Sequence, residues 1–385
     1  MKCKEVFAKI QALEDKYVSV LQESCVIESP TDYKEGVDEV GEYFIGLAKE
    51  LGFETEVCHQ EIAGNAITIA MNPKASGKPI VLSGHMDTVH PLGSFGDVPV
   101  RIDGDKIYGP GVCDCKGGIV AALLAMEALA SSGYSERPIL LILQSDEEKG
   151  STPSKLETVR YMQKKSEGAV AFLNMEGYTP GEACIQRKGI ITFRFKVHGV
   201  EAHSANCAER GANAIAEAAY KIIEIEKIKD AMGLTCCSSV INGGTVVNTV
   251  PGYCEFKVNV RFATSEQLDF IRGFMKDIAE RVFVAGCRTE LDEISFRIAM
   301  EYSLKNVDFL EKINGCFLKC GLPALAGAKR SGGSDAAYIT QAGIPCVDSV
   351  GIRGGKIHSP EEYAFISSLS EAAYRVAAIA LNIDD

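Results

Sequence analysis

The sequence predicts an α/β protein: a large domain on a mixed sheet, interrupted by an inserted two-layer β-α-β-β-α-β domain. Three observations predict it. Short apolar runs, such as Ile80-Val81-Leu82 and the ILLILQ after Pro138, read as buried strands, because a strand covered on both faces loses polar alternation. Between them, Ile119 to Ser131 is nearly all Ala, Leu, Val and Met, a helix apolar on most sides and so enclosed. From Gly189 to about Arg297 the pattern changes to alternating strands and amphipathic helices. At 385 residues the chain is too long for one typical core, which places the large domain at 1–187 and 299–385 and the insert at 188–298.

In chain order, residues 1–24 read as a helix with Val6, Phe7, Ile10, Leu13, Tyr17, Val18 and Leu21 near one face, broken at Ser29-Pro30-Thr31. A second helix runs from about Val37 to Leu51 and stops at Gly52. Strands follow at 53–59 and 65–71, and Asn72-Pro73-Lys74 turns the chain into Ile80-Val81-Leu82. Gly117-Gly118 opens the apolar helix, and AVAFLNM at 169–175 and Pro345-Cys346-Val347 are further buried strands. In the insert, strands at 190–197, 234–241, 253–262 and 288–296 alternate with helices at 212–228 and 266–284, leaving a sheet edge open to pair or dimerise.

Composition narrows the function. Hydrophobic residues make up 46%, too many for disorder, and the net charge is −12 with no long basic run, which argues against nucleic acid or an anionic membrane as partner. The amphipathic N-terminus lacks a signal-peptide core and no span of 18 apolar residues occurs, so a soluble cytoplasmic protein is expected. The fourteen cysteines form no paired CxxC framework, and reduced thiols are the expectation.

Chemistry-bearing residues sit at one recurring topological position. His85 and Asp87 follow the first buried strand, Glu147 and Glu148 the second, Glu176 the third, and His358 lies in the loop after the last, while Asp114 stands at a helix start. In a parallel sheet the C-terminal strand ends share one edge, where such sheets bind ligands. Two histidines and several carboxylates without a thiolate suit a pair of Zn²⁺ or similar divalent ions. Of the adjacent Glu147 and Glu148, one can bind metal while the other acts as general base, and Asp87 is placed to hold the second nitrogen of His85. His203, Asn248 and Arg261 in the insert also admit ordinary loop, turn and surface roles.

SGHMDTV, YGPGVCDCKGG, SDEEKGS, NMEG, GVEAHS, GGTVVNTVP, VNVRF, SGGSDAAY and KIHSPEEY occur in that order over nearly the whole chain. In these segments the sequence closely resembles the two-zinc aminoacylase and carboxypeptidase family of metallopeptidases, which includes acetylornithine deacetylase and succinyl-diaminopimelate desuccinylase. Among its branches it looks most like the glutamate carboxypeptidases, of the carboxypeptidase G2 type. The resemblance implies that His85, Asp114 and Glu176 bind one zinc (Co²⁺ or Mn²⁺ being possible substitutes), and that Asp114, Glu148 and His358 bind a second, Asp114 bridging. Glu147 would be the general base and Asp87 would orient His85. His203 would stabilise the oxyanion on a partner subunit's substrate, Arg261 would clamp the substrate carboxylate, and Asn248, Gly332 and Gly333 would help bind it. The insert would serve as dimerisation and lid domain of a homodimer.

The implied reaction is hydrolysis of the amide bond of a dipeptide or N-acyl amino acid by a metal-bridged hydroxide. An N-acetyl or N-succinyl amino acid deacylase is the alternative, and a catalytically silent binding protein on the same fold the distant one. The sequence departs from the pattern twice: Cys115 follows Asp114, and IAMEYSLKN, with Met300, Glu301 and Tyr302, stands where glutamate carboxypeptidases carry a second arginine. That segment is expected to disfavour an acidic side chain unless Lys329 or Arg330 substitutes.

Overall fold

The computed structural model describes residues 3–228 and 233–384, so the first two residues of the expected N-terminal helix lie outside the described residues. The central sheet has six strands in the order Glu54–Cys58, Ala66–Met71, Ile139–Gln144, Ile80–His85, Ala171–Asn174 and Cys346–Val347. The last four run parallel, while Ala66–Met71 pairs antiparallel with Glu54–Cys58 on one side and with Ile139–Gln144 on the other. The mixed sheet expected from the sequence is thus present, and the four apolar runs that precede the candidate residues are its parallel members. Parallelism brings their C-terminal ends to one edge.

Burial explains why these runs read as they do. Ile80, Val81, Leu82, Ile139, Leu141, Ile142 and Leu143 are all inaccessible to solvent. Helices Cys3–Val26, Lys116–Ser131 and Ser367–Asn382 pack against one another, and Leu304–Lys319 packs on the last of them. Each fully buried Leu, Ile or Val contributes on the order of 1.5–3 kcal/mol, so helix Lys116–Ser131, enclosed along almost its whole length, is firmly anchored. Gly118 explains the double glycine at its start. A Cβ there would lie 1.9 Å from the carbonyl oxygen of Met175, so the helix and the strand-end backbone can meet only without a side chain between them.

A small antiparallel sheet escapes the sequence reading. Gly354–Gly355, Tyr363–Phe365, Lys106–Tyr108 and Arg101–Asp103 pair in that order. It ties the segment carrying His358 to the segment leading into Asp114.

The cysteine expectation needs one correction. Cys3 and Cys320 form a disulfide with their Cα atoms 5.5 Å apart, because the start of the first helix lies against the end of Leu304–Lys319. That separation is within the range a disulfide spans. The other twelve cysteines are not in disulfides.

The chain divides into two compact units, Met1–Gln186 with Tyr302–Lys329 and Ser334–Asp385, and Arg187–Glu301 with Arg330–Gly333. The second unit holds an antiparallel sheet in the order Thr235–Gly243, Tyr253–Phe262, Gly189–His198 and Arg288–Arg297. Helices Ala214–Ile225 and Ser265–Glu280 pack on it. Both are shorter than the sequence suggests. Asn213 caps the first by accepting from the Ala216 N–H at 3.0 Å. The second stops at Glu280 because the buried Glu217 carboxylate captures the N–H groups of Phe283 and Val284 at 2.8 and 2.6 Å. Among the described residues no helix is long and apolar enough to cross a membrane.

Candidate metal centre

Five of the candidate residues meet at the C-terminal edge of the parallel strands. His85, the last residue of its strand and 2% exposed, has Nε2 3.0 Å from Asp114 Oδ1 and 3.5 Å from Glu176 Oε1. His358 has Nε2 3.2 Å from Asp114 Oδ2 and 3.4 Å from Glu148 Oε2. Asp114 therefore stands between the two imidazoles, one carboxylate oxygen toward each. His358 reaches this position from a backbone with φ +61°, a left-handed conformation that histidine adopts more readily than bulkier or β-branched residues.

Asp87 is fully buried and organises the neighbourhood. His85 Nδ1 lies 2.9 Å from the Asp87 carbonyl oxygen and 3.4 Å from Oδ1. The same carboxylate accepts from Thr31 Oγ1 at 2.8 Å, from the Glu147 N–H at 3.2 Å and from the Glu148 N–H at 3.1 Å. One side chain thus fixes both the imidazole and the turn Glu147–Lys149 that carries the two adjacent glutamates.

The electrostatics describe a site short of positive charge. Burial, reinforced by the Asp114 charge, pushes the Glu176 carboxyl well above the usual carboxylate range. Burial also raises Glu148 to about 7, against the opposing hydrogen bond to His358. Hydrogen bonds to Asp114 and Glu148 lift His358 to about 10. Burial works against ionisation of Asp114 too, but hydrogen bonds from His358 and His85 hold it well below its ordinary value. Enclosed carboxylates in this arrangement need cationic compensation. His85, Asp114 and Glu148 form one group with the spacing of a metal site, and His85, Glu176 and Cys115 another. This oxygen- and nitrogen-rich donor set fits divalent cations. The Cys115 thiol is buried, donates to the Met175 carbonyl at 3.3 Å, and is pushed up by burial and by the charge of Glu176.

The remaining candidates belong to the second unit. His203 is exposed, lies opposite Thr249 in a short antiparallel pair, and accepts from the Ala205 N–H through Nδ1. Asn248, beside that pair, accepts from the Ser204 N–H through its carbonyl. Arg261 donates to Asn259 Oδ1 at 3.2 Å and to the Ser331 carbonyl at 3.3 Å, next to Gly332 and Gly333. A Cβ on Gly333 would meet Arg297 Cδ at 2.5 Å.

Arg297 escapes the sequence reading. It ends the strand Arg288–Arg297 and is 9% exposed, and with desolvation its charge pushes Arg261 below its ordinary value. A second guanidinium therefore stands near Arg261, although IAMEYSLKN supplies none. Glu301 of that segment accepts from the Ser265 N–H at 2.9 Å at the start of helix Ser265–Glu280. The signal available in the sequence was only the adjacency of Arg297 to that segment.

Comparison with known proteins agrees with this architecture. The chain is 26% identical to carboxypeptidase G2 of Pseudomonas sp. (strain RS-16) over 374 residues, covering 95% of this chain and 89% of that protein. It is 23% identical over 313 residues to a succinyl-diaminopimelate desuccinylase of Dinoroseobacter shibae, covering 77% and 82%. A tripeptidase structure from Staphylococcus aureus superposes with a TM-score of 0.79 at 21% identity, covering 95% of this chain and 97% of that one. The model of peptidase family M20/M25/M40 matches residues 81–382, a span that runs from the His85 strand into the C-terminal helix, and the chain belongs to that family.

Proposed function

We propose that the protein hydrolyses the amide bond of a dipeptide or N-acyl amino acid, releasing the C-terminal amino acid, with two divalent metal ions as cofactor. The observation that carries this reading is Asp114 set between His85 and His358, with Glu176 and Glu148 completing the two ends. We assign His85, Asp114 and Glu176 to one ion, and Asp114, Glu148 and His358 to the other. Zn²⁺ suits this donor set, with Co²⁺ or Mn²⁺ as possible substitutes. When bound, such a pair supplies Lewis-acid polarisation of a water and of the scissile carbonyl.

The protein's own groups do the rest. Glu147, fixed through its backbone by Asp87, is assigned the general base that takes a proton from water and delivers it to the leaving nitrogen. Asp87 holds His85 in one orientation. His203 is assigned to the carbonyl oxygen as it gains charge, Arg261 to the free carboxylate of the substrate, and Asn248, Gly332 and Gly333 to its backbone.

A homodimer through the second unit is part of this proposal. Ile215, Tyr220 and Ile223 on helix Ala214–Ile225, with Val240 and Ile241 on the edge strand Thr235–Gly243, are exposed apolar residues, as a self-complementary interface requires. A cytoplasmic location goes with the reading.

The deacylase alternative uses the same residues and differs only in the acyl group. Hydrolysis of a panel of N-acetyl and N-succinyl amino acids, plain dipeptides and N-acyl-glutamates, with metal-loaded and chelated protein, separates the two. Chelator-sensitive release of the C-terminal amino acid is expected. No cleavage of any member by metal-loaded protein would refute the reading in favour of a binding protein.

A further inference from the structure

We propose that Glu362, held in turn by His90, is a positioning residue that sets Asp114 against His358; this deepens the two-ion reading and rests on it. Glu362 is fully buried and His90 is 6% exposed. Oε1 of Glu362 accepts from the backbone N–H groups of Cys113 at 2.9 Å and Asp114 at 3.0 Å. Oε2 accepts from the Gly111 N–H at 3.4 Å and lies 2.8 Å from His90 Nε2. The backbone of Glu362 adds a fourth tie, accepting from the Gly109 N–H at 3.3 Å.

The geometry matters because of what lies at each end. One end is the turn that delivers the Asp114 carboxylate. The other is the short segment bearing His358, four residues before Glu362 in the chain. That segment is a turn closed on itself, the Ser359 N–H donating to the Lys356 carbonyl at 3.2 Å and the Glu362 N–H to the Ser359 carbonyl at 3.0 Å, so holding Glu362 holds the turn and with it His358 at positive φ. The Glu362 carboxylate links the two segments independently of any ion. Three N–H groups of a tight turn converging on one carboxylate also resist rotation of the Asp114 backbone. His90, 272 residues away in sequence from Glu362, keeps the carboxylate from turning aside. The link acts most on the Asp114–Glu148–His358 end, where it holds both Asp114 and the His358 segment, whereas at the His85 end it reaches only the shared Asp114.

The test is a Zn²⁺ titration of the full chain against a chromophoric chelator, which reads the two affinities separately without relying on turnover. Glu362→Ala is expected to weaken one of the two sites by roughly 10–100-fold relative to the other, the range for losing an outer partner of a ligand. In a His358→Ala background the same change should do little more, because the two effects are coupled. Glu362→Gln keeps one oxygen for the Cys113 and Asp114 N–H groups and should fall between wild type and Glu362→Ala; His90→Gln should produce a smaller loss. A merely structural role would lower the melting temperature and leave the ratio of the two affinities unchanged, and that result would overturn the assignment. So would full additivity with His358→Ala. Should Glu362→Ala not fold, wild-type affinities in Glu362→Gln together with His90→Gln would overturn it. An unmutated protein that binds only one ion would refute the two-ion reading, and the assignment with it.

Discussion

Gly118→Ala is the sharpest perturbation the fold offers, because a single methyl group meets backbone next to a candidate ligand. The added Cβ would stand 1.9 Å from the Met175 carbonyl oxygen, where contacts under 3.0 Å are essentially never seen. Relief therefore needs a shift of about 1.1 Å, the difference between those distances. Neither side yields easily: the helix is enclosed and Met175 is itself buried. Overpacking of this kind costs about 1–3 kcal/mol of stability. The kinetic effect should be larger, because Glu176 is the next residue and a displacement of about 1 Å at a reacting geometry costs roughly 100-fold in rate, or about 2.7 kcal/mol of barrier. The assay is kcat/KM on the best substrate of the panel, with thermal melting and bound-metal analysis on the same preparation. Gly46→Ala is the control: it lies in helix Lys34–Glu50 with nothing within 4 Å of the added Cβ, and should stabilise by up to about 1 kcal/mol. Wild-type rate, melting and metal content in Gly118→Ala would refute the argument that close backbone approach fixes Glu176.

Further predictions concern the centre and the thiols. Glu147→Gln should lower kcat by roughly 10²–10⁴ while metal content stays at the wild-type value; a smaller loss, or a loss of metal, would assign the base elsewhere. Asp87→Asn turns an amide N–H toward groups that now donate to it, Glu147, Glu148 and Thr31. It should cost about 1–3 kcal/mol of stability and roughly 10–100-fold in metal affinity, read by melting and chelator competition. Cys207 and Cys237 are exposed, whereas burial pushes the Cys25 thiol up to about 12. Alkylation of native protein at pH 8, mapped by mass spectrometry, should therefore label Cys207 and Cys237 first and leave Cys25 intact.

Much of the first unit was legible because its strands are buried on both faces. Ile80-Val81-Leu82 and ILLILQ carry no competing helical signal, and each is followed within four residues by a side chain with metal affinity. Residues far apart in the chain could thus be referred to one sheet edge. What could not be read depends on long-range placement. Glu361 and Glu362 are indistinguishable in KIHSPEEY, yet Glu361 is exposed and pairs with Lys356 while Glu362 is enclosed against the Asp114 turn. The strands Lys106–Tyr108 and Tyr363–Phe365 are three residues each, too short for a periodic signal, and exist because they pair across the chain. Arg297 stood in the sequence only as the approximate boundary of the insert, just past the strand read at 288–296, and the fold sets its charge near Arg261. The Cys3–Cys320 pairing likewise follows from helix packing, which spacing in sequence cannot reveal.

The route of the chain through the first unit bears on how the protein is made. His85, Asp114, Glu148 and Glu176 all precede the point where the chain leaves that unit at Gln186, but His358 and the strand Cys346–Val347 come only after it returns at Tyr302. During synthesis the ribosome therefore delivers most of the acidic cluster long before its last imidazole. A nascent chain halted anywhere before His358 carries carboxylates gathered on an unfinished sheet, without the residue that closes one end of the centre. The centre closes only after the chain has passed through the first unit twice, and a truncation just before His358 should be as damaging as one before Asp114.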